Sequence, residues 1–544
     1  MIGSQGNDWN GFYKNFLFRD SKGFIYIAAN SISGIPSGTK TDPNCILNDT
    51  TIPPHDMWII KLDSMGNQIW DRTLGGLNID VEFCMYLRKN GNLLITGFSN
   101  SKQSCEKSQN NYQNDYDGWT VELTTDSEVV WNRRLGTNCL DNFYEIAEAP
   151  DSSILLGGYA ECLNPGHDLT DTNVGFFDDI WFVKCDKNGK KIWDQKYGST
   201  GIEYITSIIP LSDYSYIIIG RTEGQKSGDV SDSSFSEKFD PTYFKLDNWI
   251  LKIDSSGNKI WDKRYGCLKA DDAPGTALLN SQGNLVIGAT LGLSSLQGIF
   301  EPCNDGVADT VARGSVDAWI YMIDTSSGNI LNEKRFGGDL HDGILQIIEM
   351  NDKGYLVLCN SNSHAGFEKS ENPKGNQQVT HFDIWLVRMD SAFNIIWDKT
   401  IGGLGNEYGN VIVLNDSTFI IASTVDSGDN FDIGVSSIDT VGFPWKYDIW
   451  LSKWYIPNPA NLQEMSLASF NLHPNPATDI LYITLQNAKN KTYHLHVQDM
   501  QGRMVVQRQL TITNSNTIML ESHDWQPGVY VVNIEGVSKK VVKL

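Results

Sequence analysis

An Asp-x-Trp triplet recurs seven times along the chain, as Asp56/Trp58, Asp117/Trp119, Asp179/Trp181, Asp247/Trp249, Asp317/Trp319, Asp383/Trp385 and Asp448/Trp450. The steps between successive Trp residues are 61, 62, 68, 70, 66 and 65. A second Trp follows twelve residues later in five units, at Trp70, Trp131, Trp193, Trp261 and Trp397. Self-similarity at a fixed period marks a repeat architecture, in which each unit buries its apolar faces only against its neighbours. A chain of 544 residues is too long for one ordinary core but suits such an array.

Each unit reads as four short strands. From Asp179 to Gly220, Ile180–Cys185 is an apolar run, Asp186-Lys187-Asn188-Gly189 a turn, and Lys191–Tyr197 the returning strand. Gly198 breaks the pairing, a third strand starts at Glu203, and Tyr216–Gly220 is the fourth. A carboxylate stands five residues after a glycine in every unit: Gly3/Asp8, Gly75/Asp80, Gly136/Asp141, Gly198/Glu203, Gly266/Asp271, Gly337/Asp342 and Gly402/Glu407. We read these acids, and the Asp before each Trp, as acceptors of backbone N–H bonds that tie one unit's loop to its neighbour, because invariant repeat positions mostly serve stacking.

A four-stranded sheet cannot bury both faces alone, whereas seven placed radially leave only short edges. The sequence therefore predicts an all-β chain with a seven-bladed β-propeller of four-stranded blades over residues 1–456, Trp side chains filling the gaps between blades. Two units depart from the pattern: the fifth has a longer turn (Asp324–Gly328) and Asn332 in place of Trp, and the second has Thr124 and Ser127 for the turn's Asp and Gly. Residues 1–8 align with Thr400–Glu407, so Met1 falls at the end of a Trp-bearing strand. The expectation is that most of the closing strand, and an export signal, lie upstream of Met1.

The net charge of −23 disfavours nucleic acid and anionic membranes. No run of 18 apolar residues occurs. The nine cysteines are scattered, without C-x-x-C spacing; Cys45, Cys105 and Cys303 fall in loops where pairing is possible, while Cys84 and Cys359 read as buried thiols. No nucleophile elbow or phosphate loop is present. Asp426–Asp432 lacks the closing Glu of a calcium loop, and His364 and His381 share a loop without a third ligand. No catalytic residue, metal ligand or cofactor is assigned.

The repeat resembles the seven-bladed beta-propeller repeat (SBBP) family, through Asp-x-Trp-Ile-x-Lys-x-Asp-x-x-Gly-Asn-x-Ile-Trp (Asp247 to Trp261) and Gly-Asn-Leu-Leu-Ile-Thr-Gly (Gly91 to Gly97). That family implies no defined activity. The C-terminus resembles the type IX secretion system type A sorting domain of Bacteroidetes, on His473-Pro474-Asn475-Pro476-Ala477-Thr478-Asp479, Val497–Arg503, Trp525–Val532 and Lys539–Leu544. The resemblance implies a partnership with that secretion machinery, passage across the outer membrane, and release or surface attachment. Short alternating strands such as Tyr493–Val497 predict a small Ig-like β-sandwich over 468–544, after a Pro- and Asn-rich linker at 457–467.

Function in a propeller resides on loops or in the channel. The long loops Asn30–Pro54, Arg221–Leu246, Leu291–Val316 and Ser361–Phe382 all leave the equivalent strand, so they share one face. Four carry a Lys-Ser/Thr pair, Lys40-Thr41, Lys107-Ser108, Lys226-Ser227 and Lys369-Ser370, read as loop anchors in preference to ligand contacts. The preferred function is a secreted or surface-attached, non-enzymatic binding or scaffold protein whose loop rim meets a glycan or a protein. The alternative is a secreted polysaccharide hydrolase or lyase with carboxylates converging at the channel, which needs two acidic side chains facing each other in a cleft.

Overall fold

In the computed structural model the described residues are 1–4, 8–9, 16–33, 36–45, 55–112, 116–162, 164–172, 177–224, 226–232, 246–266, 272–292, 311–374, 381–425, 431–433, 447–456, 469–486, 492–499, 503–511, 517–534 and 537–544. Asp271, Cys303, residues 426–430 and the linker at 457–467 lie outside them. All regular structure among the described residues is β-strand. The chain divides into two units, Met1–Trp454 and Tyr455–Leu544.

The first unit is a succession of antiparallel sheets consistent with a propeller. The second sheet is representative: Asp80–Leu87, Leu93–Ser99, Asp117–Leu123 and Val129–Leu135 pair in chain order. The sheets beginning at Asp141, Glu203, Asp272 and Asp342 repeat this order. In the first sheet Asp8–Trp9 and Leu17–Arg19 both pair with Ile25–Ser31, followed by Asp56–Leu62 and Gln68–Leu74. The last comprises Glu407–Asn415, Thr418–Val425 and Asp448–Tyr455, and Ile2 bridges Ile449 where Ile401 faces Ile384 one sheet earlier. The first strands of consecutive sheets pack on one another, and Leu17–Arg19 packs on Glu407–Asn415, so the succession closes on itself around these inner strands. The Phe16 N–H donates to Asn410 Oδ1 at 3.1 Å across that closure.

This topology corrects the unit boundaries read from sequence. The repeat Asp179–Gly220 gives its first two strands to one sheet and its last two to the next. The period was right but its phase was not, because a cyclic repeat has no intrinsic start and strand pairing alone sets it. The long loops consequently join the second and third strands within a sheet.

Burial follows position. Third strands such as Asp56–Leu62 and Asp247–Ile253 are buried along their whole length, having a strand on each side and a sheet on each face. Outer strands such as Gln68–Leu74 are buried only toward their ends. Six Asp-x-Trp indoles, from Trp58 to Trp385, are among the largest fully buried side chains. The Asp63 turn shows why its residues recur: Asp63 Oδ1 accepts from the N–H of Met65 and Asn67, and Gly66 sits at φ 88°. In the divergent second unit Thr124 Oγ1 takes over as acceptor, from Asp126 and Glu128, and Ser127 adopts φ 68°.

The second unit holds a three-stranded sheet (Ser469–His473, Ile480–Gln486, Thr517–Glu521) and a four-stranded one (Thr492–Asp499, Met504–Thr511, Gly528–Ile534, Val537–Lys543). They share a core that includes Leu481, Leu495, Trp525 and Val532. Asn475 fastens the C-terminal strand: its Oδ1 accepts from the Val542 N–H at 2.9 Å and its Nδ2 donates to Lys540 O at 3.1 Å.

Candidate functional site

Both repeated acids and the repeated glycine converge at the junction between sheets. Asp80 accepts from the Gly76 N–H at 2.7 Å, Asp141 from Thr137 at 2.5 Å, Glu203 from Ser199 at 2.9 Å and Asp342 from Gly338 at 2.8 Å. The Asp-x-Trp acids take the loop backbone: Asp56 from Cys45 at 2.9 Å, Asp117 from Tyr112 at 3.0 Å, Asp383 from Lys374 at 2.5 Å. The two sets meet over the repeated glycine: the carboxylates of Asp179 and Glu203 close on Gly198, and those of Asp383 and Glu407 on Gly402. A methyl group on Gly198 would overlap the Asp179 carboxylate, so only glycine fits there. Burial raises these acids; Asp8 and Asp117 rise to about 6 and Asp141 to about 8. Facing carboxylates thus exist, and they are buried and recur from junction to junction.

A buried cation completes the junctions, and sequence reading missed its rule. Lys40 bonds Thr73 Oγ1, Lys107 bonds Ser99 Oγ and Asn111, and Lys369 bonds Thr400 Oγ1 at 2.7 Å. Each ammonium also lies over its sheet's Asp-x-Trp indole, 5.2 Å from Trp58, 5.8 Å from Trp119 and 5.2 Å from Trp385. In the third and fourth sheets the loop position is apolar, Leu169 and Val230, and the cation comes from the outer strand as Lys196 or Arg264. Lys226 therefore does not belong with Lys40, Lys107 and Lys369; in that loop the bridge is Ser227 to Val230. The Ser or Thr after each anchor docks on the outer strand, as Thr41 and Ser231 do on Asp71 and Asp262, which also accept from Trp58 Nε1 at 2.9 Å and Trp249 Nε1 at 3.1 Å. The signal for this was the Asp following the second Trp.

The loop tips are clamped identically. The backbone N–H of Thr39, Glu106, Asp168, Asp229, Glu368 and Asp432 donates to the carbonyl of Gly3, Gly75, Gly136, Gly198, Gly337 and Gly402 at 2.8–3.3 Å. The residue before each clamp is left-handed: Gly38, Cys105, His167, Gly228, Phe367 and Phe431 have φ between 45° and 58°. Two of these positions hold glycine, which adopts this conformation freely, while two present Phe side chains 67% and 63% exposed. Cys105 pairs with Cys45 of the preceding loop, and Cys139 with Cys162. Cys84, Cys185 and Cys359 are buried thiols.

Toward the inner strands the same face carries aromatic rings in contact. Tyr116 lies 4.8 Å from Phe98, Phe98 5.2 Å from Phe83, Phe83 4.6 Å from Tyr144 and Tyr144 5.7 Å from Tyr159. Asn142 Nδ2 donates to the Tyr159 hydroxyl at 2.7 Å, and the Arg221 guanidinium lies 4.6 Å over Tyr204. Burial raises the Tyr159 phenol, and the Glu161 and Asp178 carboxylates raise it further. His364 sits against Asp339 at 3.0 Å, and among the described residues no three metal-ligating side chains gather.

Residues 471–544 match the family model of the secretion system C-terminal sorting domain, which supports export to a secreted or surface location. No helix among the described residues is long and apolar enough to cross a membrane. No curated protein matches the chain. Solved structures similar to it include a polysaccharide lyase (an ulvan lyase bound to a GlcA–Rha3S saccharide), with 11% identity over 84% of this chain and 94% of that one, TM-score 0.44. A protein of unknown function from Dyadobacter fermentans has 10% identity over 83% and 98%, TM-score 0.35. An apocarotenoid oxygenase mutant from Synechocystis has 10% identity over 83% and 93%, TM-score 0.33.

Proposed function

We propose that residues 1–456 form a seven-bladed β-propeller, joined through a linker at 457–467 to an Ig-like sorting module at 468–544. The protein is exported by the type IX machinery, which reads that module, and acts as a non-enzymatic binding or scaffold protein, secreted or held at the outer-membrane surface. Its ligand, a glycan or a protein, meets the long-loop face. The observation that carries this reading is the contrast at the loop tips: an invariant backbone clamp under a side chain that changes from Gly to His to Phe. A rigid frame under variable exposed positions is how loops carry recognition. Among the described residues one disulfide joins two of these loops (Cys45–Cys105) and another ties such a loop to the connection between sheets (Cys139–Cys162), which suits an oxidising destination.

The test exposes the full chain to neutral polysaccharides, anionic polysaccharides and glycoproteins, scoring retention and released product together. Retention without product is expected. Release of product would make the protein a hydrolase or lyase and overturn the proposal, as would failure to retain any of the three classes.

A further inference from the structure

We propose that the aromatic arc of the second to fourth sheets, Phe98, Tyr116, Tyr144, Tyr159 and their polar neighbours, binds a neutral glycan chain. The inference rests on the binding reading above and names its ligand class.

The repeat supplies its own control. Five sheets place a β-bulge at the same point of the inner strand, and the bulged residues are Phe83, Tyr144, Thr206, Gly275 and Leu345. Bulges re-aim a side chain out of the ladder. Thr, Gly and Leu hold this position elsewhere, so the fold does not demand an aromatic there. Yet Phe83 and Tyr144 stand on adjacent sheets in direct contact, and Phe98, Tyr116 and Tyr159 extend the contact on both sides. Apart from Phe83, these rings are only half-buried.

The surrounding groups are polar and planar. Asn142 is 5% exposed; its Nδ2 is spent on Tyr159, while its Oδ1 has no partner among the described residues. Arg221 stacks on Tyr204, and its Nε likewise lacks a partner there. A buried acceptor and a buried donor left open beside half-exposed rings form a site that lacks its ligand's hydroxyls. A sugar ring meets both needs: its C–H face is polarised positive against the negative face of an aromatic ring, and its hydroxyls donate and accept in the plane. Charge selects within the class. Glu161 and Asp178 lie beside Tyr159, and Glu223 with Asp178 beside Tyr204, against Arg221 and the buried Lys196, so a polyanion is disfavoured.

The test is affinity electrophoresis of the full chain through gels containing xylan, laminarin or alginate. We expect retardation by at least one neutral polymer and none by alginate. Tyr144→Ala combined with Tyr159→Ala should weaken it about tenfold or more, as loss of a central aromatic anchor does. Tyr159→Phe, which keeps the ring and the packing, should weaken it less, and Met65→Ala in the exposed Asp63 turn should not change it. Retardation by alginate alone, retention of glycoprotein alone, or retardation equal in all variants would overturn the inference and leave the binding reading intact. No retention by any of these, or released sugar, would overturn both.

Discussion

Gly198 has no room for a side chain, because the carboxylates of Asp179 and Glu203 close over it. Gly198→Ala should cost about 1–3 kcal/mol, the range for overpacking a buried site. Gly166, with nothing within 4 Å of an added methyl, should tolerate the same change within about 0.5 kcal/mol. Urea unfolding of the two variants checks the pair; equal losses would refute the steric account. The tips behave oppositely. Phe367 and Phe431 hold a left-handed backbone that costs a non-glycine residue about 1–2 kcal/mol. Converting either to Gly relieves this while loosening the unfolded chain, so stability should stay within about 1 kcal/mol, against about 3–5 kcal/mol for truncating a core Phe. A large loss at either tip would show that these rings serve the fold.

At the scale of the element, a buried cation stands between the first-strand acid and the Asp-x-Trp acid of one sheet, and it comes from one of two sources. Lys369 reaches Asp342 and Asp383 from a loop, whereas Lys196 reaches Asp141 and Asp179 from an outer strand. Thr400 faces Trp385 in the register where Lys196 faces Trp181. Lys369→Ala removes one partner of a buried charge cluster and should cost about 3–5 kcal/mol. Adding Thr400→Lys should recover part of that loss, which thermal unfolding of the single and double variants would read. Absence of recovery would mean that the two positions are not interchangeable. The Lys-Ser/Thr pairs illustrate what sequence could and could not give. Their anchoring role was legible, but Lys226 looked equivalent to Lys40 because a dipeptide carries no register, and the bridges from Ser37 to Lys40 and from Ser227 to Val230 assign it.

Across the whole propeller-like unit the acids set a common pH response. Asp8 and Asp117 at about 6 and Asp141 and Glu82 at about 8 are raised by burial above the roughly 4 of an unfolded chain. Between these values the folded state binds more protons than the unfolded, so stability from these groups falls as pH rises from about 4 to about 8. Asp71, Asp194 and Asp262 run the other way. Burial raises them, but hydrogen bonds from the loop Ser or Thr and from the Trp indole prevail and lower them, so their contribution is lost as pH falls below about 4. The melting temperature should therefore be higher near pH 5 than near pH 8 and should fall again in strong acid. A monotonic rise from pH 5 to pH 8 would refute the buried-acid account.

The sequence by itself determined the all-β class, the sevenfold recurrence of the Asp-x-Trp triplet, the burial of its indoles, the structural use of the repeated acids and the character of the C-terminal segment. All of these follow from spacing, turn chemistry and motif order, which are local properties. Tertiary structure alone decided the phase of the sheets, the Cys45–Cys105 and Cys139–Cys162 pairing, the cation rule and the aromatic arc. Phe83 and Tyr144 are 61 positions apart and become neighbours only when one inner strand packs on the next. Contacts of that kind are set by how sheets stack, and no periodicity along the chain encodes them.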